Sequence, residues 1–259
     1  GPEREHAAEL LRERYSWRGY RTVQLPADQT GFRSTLSAHD GDDATMRDTL
    51  RLCSRHGVTA GAHPGYDDRE HFGRRAQALD ADALRALLLA QLTRIAAIAR
   101  DDGVPLRPVK PHGALYNLAA RDADTARTIA ETVHGFDPSL RLVGLSGSCA
   151  VAAGKAAGLR VAHEVFAERG YGTDGQLLPR DAPGAVLEGL DDALAQARAL
   201  VLHGRAPLHA GGHLSLRADT LCLHGDRADA AAFARALRQA LEADGVRIRP
   251  LDRPAGAAA

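Results

Sequence analysis

The fold of this chain is decided by residues 109–117, which read Val-Lys-Pro-His-Gly-Ala-Leu-Tyr-Asn. They follow a short apolar run that contains Leu106 and is typical of a buried strand. Pro111 has no N–H to donate to a central sheet, so we expect the strand to end there. Gly113 permits a tight turn, and a helical pattern resumes after Arg121. The stretch therefore predicts a strand end that carries polar side chains, followed by a loop and a helix.

Strand and helix patterns alternate roughly seven times along the chain, which favours one parallel α/β domain. An open doubly wound sheet is the other option. No G-x-G-x-x-G or P-loop motif follows a predicted strand, which argues against a nucleotide-binding sheet. We therefore predict an irregular (β/α) TIM-like barrel of about seven strands.

The predicted boundaries divide the chain into three parts. Residues 1–20 form an N-terminal helical extension that starts with a Gly-Pro tag scar, residues 21–250 form the single barrel domain, and residues 251–259 form a loose tail. The predicted helices are 3–15, 44–56, 81–102, 122–134, 149–157, 190–203 and 228–243. Besides the strand that ends at Pro111, the predicted strands are 21–25, 58–62, 140–145, 159–166, 214–216, 220–223 and 246–248.

Composition argues against several classes of protein. The 33 basic residues balance the 33 acidic ones, with no long block of like charge, so we expect no nucleic-acid and no membrane partner. Neither a transmembrane-length apolar run nor a signal-peptide pattern is present, which makes a cytoplasmic location the default expectation. The cysteines are odd in number and far apart, which predicts reduced core thiols at Cys53, Cys149 and Cys222.

Polar side chains end several predicted strands. His63 ends one strand, Lys110 and His112 follow the next, and His224 ends a later one. Because strand ends converge on one rim of a barrel, we expect these side chains to lie together. One such histidine is more often a loop anchor, but the repetition along the chain favours a functional cluster. Lysine supplies a positive charge there, and histidine supplies a group that titrates near neutrality.

Glu164 lies inside an apolar strand, where a carboxylate is costly unless it is paired or catalytic. Its structural partner would be Lys110 or Arg169 in a buried ion pair. Because Lys110 is predicted at an open strand end, we favour a partly wet catalytic pocket over a structural pair. A divalent metal held by His39, His63 and a carboxylate is possible, although the spacing is no recognised zinc pattern.

Several motifs follow one another in an order that resembles the lactam-utilisation (LamB/YcsF) family. They are Gly-Ala-His-Pro-Gly-Tyr at 61–66, Phe-Gly-Arg-Arg at 72–75, the stretch 109–117, Glu-Val-Phe-Ala-Glu-Arg at 164–169 with Tyr171, Asp-Gly at 174–175, Leu-Pro-Arg at 178–180, and Cys-Leu-His-Gly-Asp at 222–226. The resemblance covers about residues 28–250. It implies an irregular barrel akin to the glycoside hydrolase/deacetylase superfamily.

The resemblance also implies the activity and the pocket. It implies ATP-dependent opening of a small lactam such as 5-oxoproline, with ATP handled by partner subunits of a 5-oxoprolinase-like complex. Lys110 or Arg169 would stabilise the oxyanion, and His112 or Glu164 would act as general acid or base. The expected catalytic residues are His63, Lys110, His112, Glu164 and Arg169. The expected substrate-binding residues are Asp28, His39, Asp42, Arg180 and His224.

One region departs from the family pattern, which usually begins Asp-Leu-Asn-x-Asp-x-Gly-Glu. The nearest match here is Gln-Leu-Pro-Ala-Asp-Gln-Thr-Gly at 24–31, where only Asp28 keeps an acid. Three functions therefore stay open: an amidohydrolase subunit that opens lactams, a diverged biosynthetic enzyme acting on a small amide, amine or cyclic carboxylate, and a catalytically silent partner-binding subunit. Retention of the polar strand-end residues argues against the silent subunit.

Overall fold

The computed structural model describes residues 22–24, 33–36, 43–55, 58–208, 211–224 and 230–248. The predicted extension at 1–20 and the tail at 251–259 lie outside the described residues, so the three-part division stays a prediction. The strands are β1 (Thr22–Gln24), β2 (Arg33–Leu36), β3 (Thr59–Ala62), β4 (Leu106–Val109), β5 (Arg141–Leu145), β6 (Arg160–Phe166), β7 (Arg205–Pro207), β8 (His213–Ser215) and β9 (Thr220–His224).

The main sheet has the strand order β1-β9-β6-β5-β4-β3-β2 among the described residues. Every neighbouring pair from β2 to β9 is parallel, whereas β1 runs antiparallel to β9. The two edge strands, β1 and β2, also lie close to each other, which shows that the sheet is curled. The expected α/β fold with a parallel sheet is therefore confirmed. Strands β7 and β8 form a separate antiparallel pair.

The described helices are α1 (Asp43–Arg55), α2 (Ala81–Asp101), α3 (Gly113–Arg121), α4 (Ala123–Phe136), α5 (Cys149–Ala156), α6 (Leu190–His203) and α7 (Ala230–Ala243). Helix α2 starts as expected, because the Asp80 side chain accepts a hydrogen bond from the Ala83 N–H. Helix α6 has the predicted bounds. No helix among the described residues is long and apolar enough to cross a membrane.

Three local expectations are wrong. The helical pattern does not wait for Arg121: helix α3 begins at Gly113, directly after the strand-end residues. The segment 246–248 is irregular rather than a last strand, and Val246 and Ile248 are half-buried against the core. No strand is predicted between residues 25 and 58, whereas Arg33–Leu36 form strand β2.

The core consists of two hydrophobic clusters. The first includes Leu88 and Leu92 on the buried face of α2, together with Val109 at the end of β4. The second includes Val165 of β6 and Leu223 of β9. Lys110 follows a residue of the first cluster, and Glu164 precedes a residue of the second. The polar strand ends therefore lie where the two clusters meet.

Candidate functional site

A buried ion pair lies at the centre of the site. Lys110, just after β4, places its Nζ 2.9 Å from Oε1 and 2.9 Å from Oε2 of Glu164 on β6. The Tyr116 hydroxyl on α3 donates to Oε2 at 2.9 Å, and Cys222 Sγ on β9 lies 3.4 Å from Nζ. Lys110 is only 4% exposed and Glu164 is 0% exposed. The structural alternative, a buried ion pair of Lys110 with Glu164, is therefore present, and the favoured expectation of an open, partly wet strand end for Lys110 is wrong.

The groups around the pair keep simple charge states. Burial lowers the pKa of Lys110, but the hydrogen bonds that Cys222 Sγ and Glu164 accept from the ammonium, together with the charge of Glu164, more than offset it, so the pKa is raised. Burial raises the pKa of the Cys222 thiol well above its usual value, and burial with Glu164 does the same for the pKa of Tyr116. Both groups are therefore neutral, and Glu164 is the anion that balances the Lys110 ammonium.

Two aromatic rings surround the ammonium group. Lys110 Nζ lies 5.5 Å from the centroid of the Tyr116 ring and 5.4 Å from that of Phe166. The two rings pack edge to face, with centroids 5.9 Å apart. A desolvated cation–π contact of this kind adds roughly 2 kcal/mol. The aromatic rings thus help to hold a charge that burial alone would disfavour.

A pair of histidines lies on the β3–β4 side of the ion pair. His63, just after β3, places Nδ1 2.6 Å from the backbone oxygen of Lys110. Its Nε2 lies 2.9 Å from Nδ1 of His112, and Nε2 of His112 lies 2.8 Å from the backbone oxygen of Phe72. The rings meet edge to face with centroids 4.7 Å apart. We call these two side chains the imidazole pair.

A histidine–carboxylate contact lies on the β6–β9 side. Glu168 Oε1 accepts hydrogen bonds from the backbone N–H of His224, at 2.7 Å, and from its ring Nδ1–H. The His224 ring stacks on Phe166 with centroids 5.8 Å apart. Glu168 is buried, and its Oε2 has no hydrogen-bond partner among the described residues. Since Glu168 fixes the Nδ1–H tautomer of His224, the Nε2 lone pair can accept a proton. We call these side chains the Glu168–His224 dyad.

The two expected arginines have different positions. Arg169 is buried, and its guanidinium donates to the backbone oxygens of Ala185, at 3.0 Å, and Leu178, at 2.6 Å. Burial, reinforced by the charge of Arg180, lowers the pKa of Arg169 to about 10. Arg180 itself is exposed. These contacts make Arg169 the residue that holds the loop after β6.

The structure brings together five of the predicted residues in one network. Neighbouring contacts join them in sequence from His112 through His63, Lys110 and Glu164, and across the Phe166 ring to His224. Asp28, His39 and Asp42, also predicted for the site, lie outside the described residues. A divalent metal was left open, but the described segments hold no group of three or more His, Cys, Asp or Glu that could bind a metal ion.

Sequence reasoning missed Glu168 and Tyr116. Glu168 lies in the quoted motif 164–169, and a second acid directly after an apolar strand was the available signal. Tyr116 lies in the quoted stretch 109–117. Starting the helix after Arg121 hid the fact that Tyr116 follows His112 by one helical turn.

The chain is similar to several known proteins. The model of the LamB/YcsF family matches residues 35–256. The 5-oxoprolinase A subunit of Bordetella pertussis is 46% identical over 211 residues, which cover 82% of this chain and 84% of that protein. The protein of the same name from Geobacillus kaustophilus is also 46% identical, with 82% of each chain covered.

A solved structure is similar as well. The crystal structure of the lactam utilization protein from Thermus thermophilus superposes with a TM-score of 0.78 at 42% identity. The match covers 84% of this chain and 87% of the other. At this identity, the shared fold and the shared sequence point to common ancestry.

Proposed function

Because the chain belongs to the LamB/YcsF family, we propose that it is the lactam-binding subunit of a 5-oxoprolinase-like enzyme. In this proposal it opens the ring of 5-oxoproline, or of a closely similar cyclic amide, by addition of water. Partner subunits handle ATP. The support comes from the relatives named as A subunits of 5-oxoprolinase and from the buried polar network at the strand ends.

The single observation that carries the proposal is the Lys110–Glu164 pair with a histidine group on each side. A lactam is stabilised by resonance, so hydrolysis needs a positive group at the carbonyl oxygen and a base for the attacking water. In the proposal, Lys110 exchanges its weak 3.4 Å contact with Cys222 Sγ for the substrate oxygen. Glu164 and Tyr116 hold the ammonium and its carboxylate partner in place.

The dyad supplies the base in this proposal. His224 Nε2 accepts the proton of the water while Nδ1–H stays bonded to Glu168. Glu168 is a positioning residue, because its bonds fix the ring of His224 rather than a substrate. Arg169 keeps the loop after β6 closed through Ala185 and Leu178, and Arg180 is exposed on that loop near the site.

We also propose that the curled sheet forms the wall of an irregular TIM-like barrel of about seven strands. The closeness of edge strands β1 and β2 supports closure. In such a barrel, Asp28, His39 and Asp42 would complete the rim on the substrate side, as the family resemblance implies.

A second candidate is a diverged enzyme of the same family with another small cyclic amide as substrate. The family model begins at residue 35, after β1. Gln24 of β1 pairs in register with Cys222, which contacts Lys110. An amide residue therefore occupies the backbone position beside the site where the family motif has an acid.

The test combines the chain with the other subunits of a 5-oxoprolinase, in place of the A subunit that they normally bind. We expect ATP-dependent formation of glutamate from 5-oxoproline, and no ATP hydrolysis by the chain alone. Calorimetric binding of 5-oxoproline and of other small lactams to the chain alone separates the candidates. Binding of another lactam in preference to 5-oxoproline would favour the diverged enzyme. Assembly with no binding and no turnover would favour a silent subunit.

A further inference from the structure

Gln196 is a buried glutamine of α6, and its amide lies against the segment 166–169 that ends β6. Its Nε2 lies 2.9 Å from the backbone oxygen of Phe166, 3.2 Å from that of Ala167 and 2.9 Å from that of Arg169. Only 5% of Gln196 is exposed. A backbone oxygen can only accept a hydrogen bond, so the NH2 group rather than the amide oxygen must face the segment. The two hydrogens of the NH2 group serve three acceptors, so one hydrogen is shared.

The segment 166–169 carries the two side chains that fix the His224 ring. Phe166 stacks on this ring with centroids 5.8 Å apart and an interplanar angle of 23°. Glu168 accepts hydrogen bonds from the backbone N–H of His224, at 2.7 Å, and from its ring Nδ1–H. The carbonyl groups that Gln196 binds lie in the same four residues. The position of the Gln196 amide therefore affects where the Phe166 ring and the Glu168 carboxylate meet His224.

Other contacts hold the segment from other sides, one group at a time. The N–H of Ala167 donates to the backbone oxygen of Cys222 at 3.2 Å. The N–H of Leu187 donates to the backbone oxygen of Glu168 at 2.9 Å. Gln196 differs from these contacts because a single side chain collects three carbonyl groups. Its removal takes the helix-side donor away from all three at once.

We propose that Gln196 is a positioning residue of the site. It holds the segment 166–169 so that Glu168 and Phe166 keep the His224 ring in the Nδ1–H tautomer, with Nε2 available to the attacking water. The catalytic consequence rests on the proposed function, in which His224 is the base. Gln196 acts through its neighbours and not on the substrate. A displacement of about 1 Å at a reacting group can cost on the order of 100-fold in rate, even when the altered residue is far from the chemistry.

The positioning role is tested by NMR on the 15N-histidine-labelled chain without substrate, at a pH at which the His224 ring is neutral. The His224 signals are those that are missing from His224→Gln. In the wild type we expect a hydrogen on Nδ1 and none on Nε2. Gln196→Met keeps the length of the side chain and removes both donors. We expect a mixture of the two tautomers in this variant, because Glu168 no longer meets Nδ1 in one fixed position.

Gln91→Met is the matched control. Gln91 on α2 also bonds the backbone of a loop after a strand, at Gly65 with distances of 2.7 and 3.1 Å, but it lies on the β3 side. The change should leave the His224 signals as in the wild type. If Gln196→Met does not fold, Gln196→Asn takes its place, since the shorter amide keeps its donors but cannot reach all three oxygens. A wild-type tautomer of His224 in the folded variant would overturn the positioning role.

The catalytic consequence is tested by turnover in the assembled enzyme. Gln196→Met should lower kcat roughly 10- to 100-fold with little change in KM, because it displaces the base and leaves the substrate contacts. In the Glu168→Gln background the same change should cost much less, since residues that act through one another are not additive.

The outcomes separate this inference from the proposed function. An unchanged kcat in Gln196→Met, or an equal loss in both backgrounds, would overturn the action through Glu168 while the proposed function stands. Absence of turnover for every lactam in the wild type would overturn the proposed function and the catalytic consequence together. The tautomer of His224 would then still decide whether Gln196 positions the ring.

Discussion

One histidine group lies on each side of the Lys110–Glu164 pair, and the two groups have different hydrogen-bond partners. In the imidazole pair, both outer nitrogens face backbone oxygens, which accept hydrogen bonds and never donate them. In the dyad, a carboxylate takes the Nδ1–H of His224 and leaves the Nε2 lone pair available. The same type of side chain thus bonds to the backbone on one side of the ion pair and to a carboxylate on the other.

The difference teaches that the surroundings, rather than the residue type, decide the chemistry. In the imidazole pair, each outer nitrogen carries a hydrogen because the backbone oxygen that it faces can only accept. The dyad on the β6–β9 side can take up a proton because Glu168 stabilises the imidazolium that forms. Lys110 and Glu164 lie between the two histidine groups. Variants of the ion pair and of each group test whether the two sides differ in this way.

The largest expected effect concerns Lys110→Met. This change leaves Glu164 buried without its cation, and breaking a buried pair costs about 3–5 kcal/mol of unfolding free energy. Denaturant unfolding monitored by circular dichroism measures it. The matched control is Lys155→Met on the exposed face of α5, which should cost less than about 0.5 kcal/mol. A loss near that of the control would show that the pair is solvated and would restore the open strand end expected from the sequence.

The next effect tests the role of Glu168 in the dyad by activity. In Glu168→Gln the amide can turn its NH2 towards His224, favour the other tautomer and fail to stabilise the imidazolium. We expect a kcat lower by about 100-fold, with little change in KM. The control is Glu131→Gln, on the exposed face of α4, which should leave kcat unchanged. An unchanged kcat in Glu168→Gln would contradict the assignment of His224 as the base.

Gly113→Ala tests how the imidazole pair is built. Gly113 has a φ of +56°, and a Cβ there would lie 2.5 Å from the backbone oxygen of Gly73. The left-handed conformation alone costs about 1–2 kcal/mol for a residue with a side chain, and the clash adds to it. Thermal unfolding should therefore show a loss of at least about 2 kcal/mol. The control Gly135→Ala, with nothing within 4 Å, should stabilise α4 by about 0.5–1 kcal/mol.

The sequence predicted the elements whose signals are local. Asp80 marks the start of α2, and the apolar periodicity gives the bounds of α6. Helix α3 was missed because Pro111 and Gly113 are typical of turns, whereas here Gly113 opens a helix that contacts the loop at Gly73. The alternating residues 246–248 indicated a strand, but their side chains are half-buried against the second core cluster without joining a sheet.

The site was predictable only in part, because some of its contacts depend on tertiary structure rather than on local sequence signals. The cost of a carboxylate in an apolar strand pointed to a Lys110–Glu164 pair, and the structure has that pair. The contacts of Tyr116 and Glu168 depend on where α3 starts and on how the sheet curls. Residue spacing alone reveals neither the start of that helix nor the curl. Burial of Lys110 likewise depends on the aromatic rings of Tyr116 on α3 and Phe166 on the distant strand β6.

The smallest expected effect comes from His163, the neighbour of Glu164 on β6. Glu164 is fully bonded, whereas the buried Nε2 of His163 has no partner among the described residues. Burial lowers the pKa of His163; Asp219 opposes this shift, and nearby basic groups reinforce it. The unfolded chain therefore takes up this proton at higher pH than the folded one. The stability that a neutral His163 provides is complete above about pH 6.5 and is lost as the pH falls through the folded pKa.

His163→Leu should therefore flatten the dependence of unfolding free energy on pH between about 6.5 and 5, because the leucine takes up no proton. Urea unfolding at several pH values in that range measures the slope for the variant and the wild type. The exposed His203→Leu variant should keep the wild-type slope. If His163→Leu also keeps that slope, the pKa of His163 is the same in the folded and the unfolded protein, which would require a hydrogen-bond acceptor or solvent at its Nε2. The outer face of β6 would then be as well bonded as the inner face, and the contrast between the two neighbours would disappear.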